Sequence, residues 1–155
     1  MSASDHYLVF SLDQHRFALA LAEVEQVVPA LELTPLPGAP DLVPGIFNLQ
    51  GKIVTAISLR RRFGLPDREL ALSDHFVVTR ALGRTLALMV DDTRGVVSQP
   101  RAEITPAAAF LPEQPYVRGV LRLPDGIILI QDLGRLLTNE EDQHIERVLR
   151  EAGAS

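Results

Sequence analysis

Short apolar runs broken by polar turns set the pattern of the chain. Residues 7–12 (Tyr-Leu-Val-Phe-Ser-Leu) and 17–21 (Phe-Ala-Leu-Ala-Leu) flank a polar Asp13-Gln14-His15 turn, which predicts a hairpin and carries no helical period. Residues 76–79 and 85–90 flank Leu82-Gly83-Arg84 in the same way. A further hairpin is expected where Gly51 opens residues 52–57 after an apolar run ending at Leu49. Another is expected where Asp125-Gly126 opens residues 127–130 after a run ending at Leu123.

These hairpins recur. Residues 7–28 match residues 76–97 without a gap, at a shift of 69: Val9, Ala18, Leu19, Val27 and Val28 return as Val78, Ala87, Leu88, Val96 and Val97. Tyr7, Phe17 and Leu21 correspond to Phe76, Leu86 and Val90. A second block, Gly45-Ile-Phe-Asn-Leu49 with Leu59, Arg61 and Phe63, returns at a shift of 74 as Gly119-Val-Leu-Arg-Leu123 with Leu133, Arg135 and Leu137. Two matches in the same order, differing by a loop-sized insertion, read as an internal duplication. About five short strands per half then predict an all-β chain of two small barrels.

Prolines 29, 35, 37, 40 and 44, and again 100, 106, 112 and 115, mark the segments between hairpins as connections, because proline has no N–H for a ladder. Residues 59–63, stopped by Gly64-Leu65-Pro66, predict one helical turn. At the C-terminus Asn139 is the expected N-cap of a helix over residues 139–151. Glu140, Glu141 and Asp142 suit its positive end, and Ile145, Val148 and Leu149 form its apolar stripe.

Composition narrows the function. Of the 155 residues 46% are apolar and 23% charged, the balance of a folded protein. There is no cysteine, so neither a disulfide nor a thiolate metal site is available. A formal charge of −5 and the absence of tryptophan argue against nucleic acid as partner and favour protein. With no signal-like start and no membrane-length apolar run, the chain is expected to be cytoplasmic.

Catalytic chemistry finds no support. His6, His15, His75 and His144 are isolated, Asp91-Asp92 lacks the alternating ligands of a calcium loop, and no serine lies in a nucleophile elbow. Neither phosphate-cradling glycine motif occurs. The expectation is no enzyme, no cofactor and no metal. Arg60-Arg61-Arg62 reads either as a receiver for an acidic partner surface or as a solvated helical turn. Two small barrels have poor surface-to-volume ratios and are expected to bury area against each other, leaving a cleft suited to a partner helix.

Several segments resemble the CheW family in order and spacing: Tyr7-Leu-Val-Phe-Ser-Leu12, Glu23-Val-Glu-Gln-Val-Val28, Pro44-Gly-Ile-Phe-Asn-Leu-Gln-Gly51, Ile57-Ser-Leu-Arg60, Met89-Val-Asp-Asp92 and Ile127-Ile-Leu-Ile-Gln-Asp-Leu133. The resemblance covers about residues 5–138. It implies two SH3-like five-stranded barrels within one CheW-like domain, at about residues 5–66 and 72–137, followed by the helix. It also implies a non-catalytic coupling protein that joins a chemoreceptor cytoplasmic tip to the regulatory domain of a CheA-like histidine kinase, in arrays beneath the inner membrane. The alternative is a divergent module that caps, localises or modulates such an array without ordinary receptor coupling. By position, the receptor groove would be formed by Val24, Gln26, Leu49, Gln50, Phe76 and Val97.

Three positions depart from the family pattern. Gln50 stands where an arginine is usual, Gln26 where a carboxylate is common, and Ser58 where aspartate is expected. Loss of both members of a charge pair avoids leaving one unpaired, and a Gln26–Gln50 hydrogen bond is the expected replacement.

Overall fold

A computed structural model describes residues 4–100, 104–106 and 116–153; the connections expected at Pro112 and Pro115 lie outside them. Among the described residues the chain forms eleven strands: β1 (Ser4–Leu12), β2 (His15–Ala20), β3 (Val24–Pro29), β4 (Gly45–Leu49), β5 (Lys52–Ser58), β6 (His75–Ala81), β7 (Arg84–Val90), β8 (Asp92–Pro100), β9 (Ile104–Pro106), β10 (Val117–Leu123) and β11 (Gly126–Gln131). Helix α1 covers Leu59–Arg62 and α2 covers Asn139–Glu151. All four expected hairpins are present.

The first sheet has the order β8-β1-β2-β11-β10-β9, and the second the order β3-β6-β7-β5-β4. Applying the two repeat shifts to the second sheet converts it, strand for strand, into β8-β1-β2-β11-β10. The duplication is therefore structural. Each sheet contains one parallel pair at the equivalent place: β2 with β11 (Phe17 beside Leu129) and β7 with β5 (Leu86 beside Thr55).

The sheets nevertheless do not follow contiguous halves such as 5–66 and 72–137. The first is built on Met1–Val24 with Asp91–Leu136, and the second on Glu25–Val90 with Leu137–Ser155. Each sheet takes its β1–β2-type hairpin from one repeat and its β4–β5-type hairpin from the other. A hairpin pairs equally well with either copy of its partner as far as local pattern is concerned, so residue periodicity does not decide between them.

Core positions obey the duplication closely. The first sheet gathers Tyr7, Val9, Ala18, Leu121, Ile128 and Ile130. The second gathers the equivalents Phe76, Val78, Ala87, Phe47, Val54 and Ala56, with the Phe47 and Phe76 rings 5.1 Å apart. Burial of each such large side chain contributes about 1.5–3 kcal/mol.

Gly45 and Gly119, equivalent by the second shift, share a different constraint. A Cβ on Gly45 would lie 2.5 Å from the Thr34 carbonyl oxygen, and one on Gly119 would lie 3.0 Å from that of Thr105. In both sheets a neighbouring backbone crosses here. It forms β9 beside β10 in one case and an isolated Thr34–Ile46 bridge in the other.

Prolines 29, 100 and 106 close β3, β8 and β9 rather than lying outside strands. At a strand's last residue and on an outer strand the missing N–H costs no ladder bond. Helix α2 begins one residue earlier in its capping than expected: Thr138, not Asn139, is the N-cap. Its Oγ1 accepts from Glu141 N at 3.1 Å while Glu141 Oε1 accepts from Thr138 N at 2.8 Å. That reciprocal box requires a hydroxyl three residues before a glutamate, which Thr138 supplies. Ile145, Val148 and Leu149 are buried, as their spacing predicts.

Candidate protein-binding site

The β4–β5 hairpin has a two-residue turn in which Gln50 and Gly51 both take positive φ, +53° and +86°. Such turns match the twist of the flanking strands. Glutamine has a Cβ and is not a natural occupant of this region, so it is held there by its surroundings. One restraint is visible: Asn48 Oδ1 accepts from Gly51 N at 2.7 Å, bracing the turn from within. The Gln50 side chain is exposed at the tip, and Leu49 pairs across the ladder with Lys52.

On β3 burial alternates, with Val24, Gln26 and Val28 half-buried and Glu25, Val27 and Pro29 exposed. Val28 packs against the second sheet's core, so Val24 and Gln26 continue the same inward row toward the start of the strand. Leu49 packs against that core as well, and Phe76 is fully buried within it. Five of the six expected groove residues thus lie on the second sheet. Val97 lies on β8 of the first, half-buried against that sheet's own core, as its repeat equivalent Val28 is in the second. Gln26 and Gln50 form no hydrogen bond with each other among the described residues, so the expected amide pair is not made.

The remaining departure from the pattern, Ser58, has a clear local role. It is the N-cap of α1, its Oγ accepting from Arg61 N at 3.3 Å. At the equivalent place in the other repeat Asp132 Oδ1 accepts from Gly134 N at 3.1 Å, capping the 3-10 turn Leu133–Arg135. Serine and aspartate are near-equal caps, so the exchange keeps the local geometry.

Arg60, Arg61 and Arg62 are neither a receiver patch nor simply solvated. Arg60 is buried, with Nη1 donating to the Pro66 carbonyl at 2.9 Å. Arg61 donates to Asp67 at 3.0 Å and to the Asp41 carbonyl. Arg62 bridges to Glu141 on α2 at 2.5 Å. Three adjacent guanidiniums radiate to three segments and fix them, because a short helical turn spreads consecutive side chains around its axis.

Other charged candidates also serve the fold. Asp91 Oδ2 accepts from Asp13 N at 2.6 Å, bracing the β1–β2 tip, and Asp92 Oδ1 accepts from Thr93 N at 2.9 Å. Arg84 joins Asp142 and Glu146 of α2 at 2.8 and 3.3 Å. Asp74 is buried at the end of the loop before β6. Its carboxylate receives Arg68 Nη2 at 2.6 Å and Ala71 N at 2.8 Å. Burial alone would raise its pKa, but these donors outweigh burial and hold it below the usual aspartate value. At Glu141 burial is likewise outweighed, by the Thr138 N–H and the Arg62 guanidinium, and its pKa is lowered. His144 Nε2 meets the Gly38 carbonyl at 2.5 Å, securing α2 to the β3–β4 connection.

The polar groups at both hairpin tips and around α2 shape and brace surfaces, which is the organisation of a duplicated β-barrel interaction module. The model of the CheW-like domain matches residues 6–141, and the chain belongs to the CheW-like domain family. The chemotaxis protein CheW of Treponema pallidum is 27% identical over 89% of this chain and 85% of its own length. That of Klebsiella aerogenes is 24% identical over 96% and 91%. The crystal structure of the scaffolding protein TtCheW from Thermoanaerobacter tengcongensis superposes with a TM-score of 0.82 at 28% identity, covering 91% of this chain and 96% of that one. The two sheets are the two SH3-like barrels of this fold, and the protein is a chemotaxis coupling or scaffolding protein, not an enzyme. No helix among the described residues is long and apolar enough to cross a membrane.

Proposed function

We propose that this protein couples a chemoreceptor cytoplasmic tip to the regulatory domain of a CheA-like histidine kinase, in the cytoplasm at receptor arrays. The observation that carries the reading is the braced β4–β5 tip. Asn48 fixes a turn that presents Gln50 to solvent, while Leu49 and Phe76 anchor the hairpin on the second core. A rigid projecting turn with an exposed amide and an apolar base loses little conformational entropy on docking a helical hairpin.

In this role Gln50, Leu49, Gln26 and Val24 make contact with the receptor. Phe76, being fully buried, acts as the floor that holds Leu49 in place, and Val97 plays the corresponding supporting part on β8. The neutral pair Gln26 and Gln50 tunes specificity toward receptor tips that do not require a charge pair at this point.

The test is reconstitution of kinase autophosphorylation with receptor-containing membranes. Added protein raises receptor-dependent phosphorylation if it couples. Binding to the kinase without any rise would instead establish the alternative, a module that caps or modulates an array, and would end the coupling reading.

A further inference from the structure

Lys52 is the chain's single lysine. It stands directly opposite Leu49 across the β4–β5 ladder, at the start of the row that continues inward through Val54 and Ala56. It is exposed, and no ion pair or hydrogen bond engages its side chain among the described residues. Most arginines of this unit behave differently: Arg60, Arg61, Arg62, Arg68 and Arg84 donate to a carboxylate or a carbonyl nearby, whereas Arg80 and Arg147, away from this hairpin in sequence, are exposed like Lys52.

The local charge is equally distinctive. Residues 45–58 contain no ionisable side chain other than Lys52, in a chain of net charge −5. The Lys52 backbone also has a defined position. It follows immediately on a turn whose two central residues have positive φ and whose Gly51 N–H is held by Asn48 at 2.7 Å.

We propose that Lys52 is a specificity-determining residue, the cation through which the β4–β5 tip recognises an acidic helical surface on its partner. An acidic surface approaching a net-negative protein is repelled except where a local cation reverses the field. Here Lys52 is that cation, and Leu49 beside it supplies the apolar contact. With glutamine at the turn itself, the charge enters from the first residue of β5. The inference rests on the reading that this hairpin faces the receptor.

The test measures binding of the full-length protein to a purified chemoreceptor cytoplasmic hairpin at ionic strengths of about 0.05 and 0.3 M, which change the screening length more than twofold. Lys52→Gln is expected to weaken binding about fivefold at the lower salt and to flatten its salt dependence, with Lys52→Arg retaining both. All three proteins should melt together, because Lys52 is exposed. If the wild type binds and Lys52→Gln matches it in affinity and salt dependence, the inference is overturned while the coupling reading stands. If the wild type does not bind the hairpin at all, the coupling reading falls and the inference with it.

Discussion

The two sheets share a strand order and six equivalent core positions, yet they are finished in different ways. Around the first sheet, ion pairs sit at the surface: Arg16 with Asp125, whose side chains are 28% and 73% exposed, and Arg118 with Glu23, at 48% and 30%. The second also has exposed pairs, such as Arg61 with Asp67 at 39% and 56%, but two of its pairs are drawn inward, Arg62 with Glu141 at 10% and 24% and Arg84 with Asp142 at 12% and 30%. The second sheet also carries α1, the Asp74-centred loop and α2. After duplication the interiors stayed alike, since packing tolerates few exchanges, while the rims diverged. The half-buried pairs secure α2 and make the second unit more dependent on charge than the first.

The largest test of this comparison is in the cores. Phe76→Ala should cost about 4 kcal/mol, and Tyr7→Ala at the equivalent site less, because Phe76 is fully buried while Tyr7 keeps 5% exposure. Urea titration of both variants measures the difference, and equal costs would contradict it. Next come the close-approach glycines. Gly45→Ala forces a Cβ to within 2.5 Å of a carbonyl oxygen and should cost about 3 kcal/mol, against about 1 kcal/mol for Gly119→Ala, where the distance is 3.0 Å. Thermal melts that rank the two the other way would show that the Thr34 segment yields more readily than β9.

Acid should act on the second unit specifically. The pKa values of Asp74 and Glu141 are lowered in the folded state. Their contribution is therefore complete above the ordinary carboxylate range and is lost as pH falls through the lowered values, below about pH 4. Amide exchange should reveal opening of the Asp74 loop and of α2 in that window. The combined Asp74→Asn and Glu141→Gln variant should be less stable at neutral pH and show a flatter acid slope. An unchanged slope would place the acid sensitivity elsewhere. The smallest effect belongs to the turn: Gln50→Asn, better suited to positive φ, should stabilise the protein by about 0.5 kcal/mol in denaturant titrations.

The hairpins were legible because alternation around polar turns survives in every one of them. The resemblance on which the family rests was legible in segments such as Pro44-Gly-Ile-Phe-Asn-Leu-Gln-Gly51. Strands β3 and β8 were not, and their composition explains why. Val24–Pro29 includes Glu25 and Gln26, and Asp92–Pro100 is mostly exposed and contains Arg94, Gly95 and Gln99. They are strands because β6 and β1 offer edges to pair with, a condition that local pattern does not encode. At the tip, Gly51 signals a turn, but nothing in a glutamine announces positive φ at Gln50. The arginine triplet misled for a related reason: its partners Asp41, Pro66, Asp67 and Glu141 are brought to it only by the fold.

The crossing of the chain between sheets carries a consequence for its assembly. Each repeat holds one example of every strand type needed for a barrel, but the intact chain divides each set between two barrels. This is the connectivity of a domain-swapped dimer whose two subunits have been joined end to end. A fragment ending near residue 69 would therefore face a choice that the whole chain does not: to close its two hairpins on each other as a monomer, or to exchange them with a second copy. The hinge that decides it is the one point in that fragment where the intact chain passes between units, at Val24–Glu25.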